Sequence, residues 1–306
     1  MISAPNGNTT RFLADLNRTE NQLQQVQAQV SSGVRVQQPA DDPAAIDAIL
    51  NTQSNLRLNQ QVQANIGTVR AKAESADAAL QSAISLIQNA ITLATEGAST
   101  PLDDQQRATL ATQVKGLQET LVGLSQTNVN GCFLFSGDQD TSAAYQLDLT
   151  QPDGVRRVLT GPATEVFQDV NGTTIAVAKT ASDIFDPRNP DGTAAPGNAF
   201  SALNSLRVAL EGNNSAAIVQ ASDALKLAGT HLNAMNAFYG NVQTRLDSAL
   251  DLAQKFQVDA QTRLSQLRDT DVPAAAMQLT QLQVQQQASL SMQAKVSHLT
   301  LFDFLS

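Results

Sequence analysis

Residues 66–94 read IGTVRAKAESADAALQSAISLIQNAITLA. Within them Ile66, Val69, Ala73, Ala76, Leu80, Ala83, Ile87, Ala90 and Ala94 recur at alternating steps of three and four. That spacing puts all of them on one stripe of a helix and is the spacing of a helix–helix seam. The many alanines let a neighbouring helix come close. A stripe this long and narrow cannot be buried by its own helix, so it predicts a fold of helix packed on helix.

Working outward, Gly97, Ser99 and Pro101 close this segment, and Asp103 or Asp104 caps the next. There Leu110, Val114, Leu117, Leu121 and Leu124 keep the same rule, which predicts a helical hairpin. Far along the chain, Leu225, Ala228, Leu232, Met235, Tyr239, Val242, Leu246, Ala249, Ala253, Phe256 and Ala260 repeat it. At 1.5 Å per residue that stripe is roughly 54 Å long. Its partners must be the helices of the first half.

The ends are looser. Phe12, Leu16, Leu23, Val26 and Val30 form a stripe with a gap at Thr19, and Gly33 interrupts it. Pro39–Pro43 then reads as a turn in which Asp41 or Asp42 caps a helix and Pro43 takes its first position. A last helix starts at Pro273 and carries Ala275, Leu279 and Leu282, then Leu290, Met292 and Val296, among many glutamines. The chain closes on the apolar Leu299, Leu301, Phe302, Phe304 and Leu305. Such a terminus calls for a covering partner.

Between 131 and about 182 the period changes. Cys132–Phe135 is a short apolar run between glycines, and Tyr145, Leu147 and Leu149 alternate with polar residues. Pro152–Gly154 turns into a strand at Val155–Leu159, and Asn171-Gly172 precedes another at Thr174–Ala178. Asp186–Gly197 is a loop-rich exit, and helix returns near Phe200 until Gly212–Asn214. The fold class is therefore mainly α: an elongated rod of paired N- and C-terminal helices with a small β-rich central insert. The predicted divisions are 1–40, an N-terminal assembly helix; 41–130 with 197–269, the rod; 131–196, the insert; and 270–306, a C-terminal assembly helix. The outermost pieces, with narrow stripes, are expected to order weakly in an isolated monomer.

Composition excludes several functions. The formal charge is −9, so the basic face that nucleic acid requires is missing, as is the Lys/Arg-rich face of a membrane-surface helix. No run of 18 apolar residues occurs. His231 and His298 are the two imidazoles and Cys132 the single thiol, and none stands in a catalytic or zinc motif. Asp138 with Asp140 and Asp269 with Asp271 read as turn and cap residues rather than cation ligands, because the other oxygens of a calcium loop are lacking. No catalytic, cofactor or metal residue is assigned, and a structural subunit is expected rather than an enzyme.

Two of these stretches carry a resemblance. Ser31, Ser32, Gly33, Val34, Arg35 and Val36, followed by Pro39, Ala40, Asp41, Asp42 and Pro43, are similar to the N-terminal signature of the bacterial flagellin family. Arg263–Asp271, with Arg268, Asp269 and Asp271, followed by Met277, Leu279, Thr280 and Gln285–Ala288, resembles its C-terminal signature. The resemblance covers about 10–128 and 220–306. Pro43 after the Asp pair, the Asn130–Gly137 element and the Leu301–Leu305 tail resemble the hook–filament junction branch, with filament flagellin as the alternative. The first dozen residues match neither branch.

The resemblance implies export without a cleaved signal, an extracellular place on the flagellum, and no cofactor. It also implies hook-associated protein 1, flagellin, an export chaperone and further copies of the same chain as partners. Subunit contacts are then expected at Leu16, Leu23, Val26, Val30, Leu279, Leu282, Leu290, Val296, Leu301, Phe302 and Leu305.

Overall fold

A computed structural model describes residues 7–99 and 103–296. Seven helices and six short strands appear among them: α1 (Gly7–Ser32), α2 (Pro43–Ala98), α3 (Asp104–Ser125), β1 (Asn128–Val129), β2 (Cys132–Phe133), β3 (Tyr145–Leu147), β4 (Val155–Arg157), β5 (Val166–Gln168), β6 (Thr174–Ala176), α4 (Ala181–Phe185), α5 (Ala199–Glu211), α6 (Ser215–Arg268) and α7 (Val272–Val296). The chain divides into two compact units, Asn59–Lys255 and the paired ends Met1–Leu58 with Phe256–Ser306. Among the described residues no helix is long and apolar enough to cross a membrane.

The larger unit is built on the seam from which the sequence was read. Ile66, Ala73, Ala76, Leu80, Ala83, Ile87, Ala90 and Ala94 are all buried, and Val69 packs against them. Opposite lie Leu225, Ala228, Leu232, Tyr239, Val242, Leu246 and Ala249 of α6. Polar ties mark the antiparallel register. Asn59 donates to the Ala253 carbonyl at 2.8 Å, Arg70 pairs with Asp247 at 2.8 Å, and Asn236 donates to Asp77 at 2.5 Å. The α3 helix lies on α5 and adds Leu110, Val114 and Leu121 to the same core.

Helix ends follow local chemistry. Asp103 caps α3 in a full capping box with Gln106, leaving Asp104 in the first turn. Arg107 is nearly buried and donates to the Gly97 carbonyl at 2.9 Å and to Asn213, at the junction of α5 and α6. It thereby neutralises a carbonyl at the negative end of α2. Arg107→Met is expected to lower the stability of this unit by about 1.5–3 kcal/mol, the worth of a charge-assisted hydrogen bond, in urea denaturation.

Two expectations need correction. Phe256, placed in the α6 seam by heptad spacing, is 43% exposed. Ala253, one step earlier on the same stripe, is still fully buried and its carbonyl accepts from Asn59, so cover is lost within a single turn. The 3-4 spacing marks a face of the helix but not how far along that face a partner packs. The insert also holds less strand than its alternation suggested. Its strands are two or three residues long and pair only as three separate hairpins, β1–β2, β3–β4 and β5–β6. Leu134 and Phe135 leave the strand, and Phe135 enters the core against Phe185 with ring centroids 5.6 Å apart. Val158 and Leu159 lie beyond β4. A buried polar cluster fastens this region: Asp186 accepts from Tyr145 Oη, Arg157, Arg188 and Asn198.

Candidate assembly interface

The unit of paired ends has its own small core. Val26 of α1 and Ala275 and Leu282 of α7 are buried together, with Leu23, Val30 and Leu279 packed against them. The pair is antiparallel, with Gln286 donating to Glu20 at one level and Thr270 N–H to the Gly33 carbonyl at another. Thr19, the apparent gap in the stripe, sits inside the seam, its hydroxyl donating to the Asp15 carbonyl at 3.0 Å. Leu23, Val26, Val30, Leu279 and Leu282, expected as contacts to other subunits, thus meet one another within one chain. Leu16 is half-buried on the same stripe and Leu290 is 50% exposed. The described part of α7 runs to Val296, and the Val296 side chain and Leu301, Phe302 and Leu305 lie outside what is described.

At the inner end of this pair the two signature stretches form one joint. Gly33 takes φ +70°, a left-handed conformation that ends α1 without the cost a Cβ would add. Arg35 and Val36 then donate their N–H groups to the Arg268 carbonyl at 2.7 and 3.2 Å, and Val34 bridges Asp269. The Arg35 guanidinium reaches the Leu267 carbonyl at 2.7 Å and the Asp42 carboxylate at 3.0 Å. Asp41 accepts from the N–H groups of Gln37 and Gln38, while Asp42 caps α2 through the Ala45 N–H, with Pro43 as its first residue. Ser32 accepts from Gln37 Nε2 at 2.6 Å. Asp271 caps α7 by accepting from Ala274, and Asp269 pairs with Arg268.

The hydrogen bond from Arg35 holds the Asp42 carboxyl below its usual range. A lowered carboxyl contributes stability above its unfolded pKa and loses it as pH falls through the folded one. The joint is therefore expected to hold at neutral pH and to loosen only below the ordinary carboxylate range. Amide exchange of Arg35 and Val36 followed from pH 7 to pH 3, corrected for intrinsic rates, checks this.

A second feature escaped the heptad reading. From 272 to 294 the sequence contains no charged residue. On the side of α7 turned away from α1, Met277, Val284 and Met292 are 69%, 63% and 70% exposed. The helix is thus apolar on two faces, of which the seam covers one. The signal was available in the missing charges.

The chemistry-bearing residues are occupied locally. The Cys132 thiol, half-buried, is pushed up by its hydrogen bond to Asp140. Asp138 accepts from Thr164, and His231 Nε2 donates to the Asp183 carbonyl. Among the described residues no group of three or more His, Cys, Asp or Glu side chains is arranged to hold a metal.

Residues 5–140 match the bacterial flagellin N-terminal helical region, and residues 223–305 match the bacterial flagellin C-terminal helical region. The chain belongs to the flagellin family. Among its relatives, flagellar hook-associated protein 3 of Escherichia coli is 27% identical over 290 residues, covering 87% of this chain and 88% of the relative. The Salmonella typhimurium protein of the same name is 26% identical over 295 residues and covers 90% of each. In fold, this flagellin-family chain is similar to a putative flagellar hook-associated protein from Vibrio parahaemolyticus, with TM-score 0.65, 19% identity, and coverage of 75% of this chain and 100% of that one. It is also similar to Xanthomonas campestris FlgL, with TM-score 0.55, 15% identity, and coverage of 73% and 99%. The family's two helical regions include α1 with α2 and most of α6 with α7, the helices whose ends meet in the joint.

Proposed function

We propose that this chain is a structural subunit of the bacterial flagellum at the hook–filament junction, rather than the subunit of the filament itself. The observation that carries the reading is its end-to-end similarity to two proteins named flagellar hook-associated protein 3. Its partners are hook-associated protein 1 on one side, flagellin on the other, further copies in a ring-like layer, and an export chaperone before assembly. It works outside the cell and catalyses nothing.

The physical case rests on α1 and α7. Their shared core is small for two helices of 26 and 25 residues, so they order weakly in the free chain. Assembly supplies the missing burial, and the charge-free outer face of α7 is the surface that receives it. Subunit contacts then fall on Met277, Val284, Leu290 and Met292, while Leu23, Val26, Val30, Leu279 and Leu282 pair the two helices first.

Deleting the gene tests the assignment. The expected phenotype is hooks without filaments and flagellin released into the medium, restored by the wild-type gene. Filaments of normal length in the deletion strain would overturn it.

A further inference from the structure

We infer that the joint between residues 33–42 and 267–271 is a salt-sensitive latch, closed by Arg35, that makes α1 and α7 order together against the ends of α2 and α6. The inference builds on the weak order proposed for α1 and α7 and names what controls it.

The joint has little apolar support. Val36 is its buried aliphatic side chain, and the α1–α7 core beyond it centres on Val26, Ala275 and Leu282. Three backbone hydrogen bonds span the two strands: Arg35 and Val36 to the Arg268 carbonyl, and Thr270 to the Gly33 carbonyl. One guanidinium ties both strands to the adjoining helices. It donates to Leu267, whose carbonyl belongs to the last turn of α6, and to Asp42, the cap of α2. The first contact complements the negative end of a helix. The second is an ion pair whose side chains are 44% and 27% exposed, so salt screens it. The planar fork of arginine reaches both acceptors at once, whereas a lysine ammonium is a single point charge on a flexible stem.

α1 leaves through one strand of the joint and α7 through the other. Opening it frees both helices, while the core of Asn59–Lys255 shares no residue with it. The latch therefore predicts coupled loss of order at both ends of the chain with an undisturbed larger unit.

Hydrogen exchange on the full chain, read by mass spectrometry, tests this with Arg35→Met, Arg35→Lys and Asp42→Asn, the last keeping a capping side chain without its charge. In Arg35→Met, exchange in 7–32 and 272–296 should accelerate together, roughly fivefold or more, with peptides of 59–255 unchanged. In 1 M NaCl the wild-type ends should accelerate toward the Arg35→Met rate, and that variant should not respond. Asp42→Asn should lose most of the salt response, and Arg35→Lys should fall between wild type and Arg35→Met.

Unchanged ends in Arg35→Met, acceleration of one end alone, or acceleration across 59–255 as well would each overturn the latch. Full wild-type protection in Arg35→Lys would overturn the bridging role of the guanidinium. The weak-order reading fails separately, if the wild-type ends exchange as slowly as 59–255, and the junction assignment depends on the deletion phenotype alone.

Discussion

Replacing Asp186 by Ala is expected to lower the unfolding free energy of the Asn59–Lys255 unit by about 3–5 kcal/mol, the cost of removing one partner from a buried ionic cluster. Asp186 is fully buried and accepts hydrogen bonds from Tyr145 Oη at 2.8 Å, Arg157 Nε at 2.5 Å, Arg188 Nε at 3.1 Å and Asn198 Nδ2 at 2.6 Å. Burial pushes its carboxyl above the usual range, and the contacts with Arg157 and Tyr145 oppose that push. Without the carboxylate, two guanidiniums would share only Asp153, and Tyr145 would keep a buried hydroxyl without this acceptor. Asp153→Ala should cost less, because Asp186 would still hold both arginines. Urea denaturation of the two variants, followed by circular dichroism, gives the comparison. Equal losses would contradict the central place of Asp186, and a larger loss in Asp153→Ala would give that place to Asp153.

The second large effect concerns assembly. Leu282→Asp and Val284→Asp should both abolish incorporation into the flagellum, for different reasons. Leu282 is buried against Val26, so a carboxylate there breaks the α1–α7 seam before any partner arrives. Val284 is 63% exposed on the opposite face, so its carboxylate is hydrated in the free chain and penalised only when another subunit covers it. Exchange of 7–32 should therefore accelerate in Leu282→Asp and stay at the wild-type rate in Val284→Asp, with motility lost in both. Normal motility in Val284→Asp would remove the outer face of α7 from the interface.

Much of the helical architecture was legible because its stripes are long. Eight of the nine residues of the 66–94 stripe are buried, and Val69 packs partly buried against them. Phe256 shows where such reading fails, since 3-4 spacing marks a face of the helix but not how far along it a partner packs. In the insert, alternation located the hairpins at Pro152–Gly154 and Asn171-Gly172 but overestimated strand length, because turns recur every few residues.

The joint was legible only as two signatures. Their meaning lies in Arg35 meeting Leu267 across 232 residues, a contact that no local pattern encodes. The seam residues of α1 and α7 are apolar contacts in both views, expected against other subunits and packed on one another within the single chain. Heptad spacing reports that a stripe must be covered, not by which chain. The outer stripe of α7 was missed because Met277, Val284 and Met292 are seven and eight residues apart, with no large apolar residue at the three- or four-residue steps between them.

On the proposed reading, this flagellin-family chain forms a junction layer rather than a filament. The most direct measurement adds the purified chain to isolated hooks carrying hook-associated protein 1 and follows growth by electron microscopy, with flagellin supplied afterwards. The account predicts a short layer that stops growing and then allows flagellin to extend from it. Long filaments built from this chain alone would contradict it.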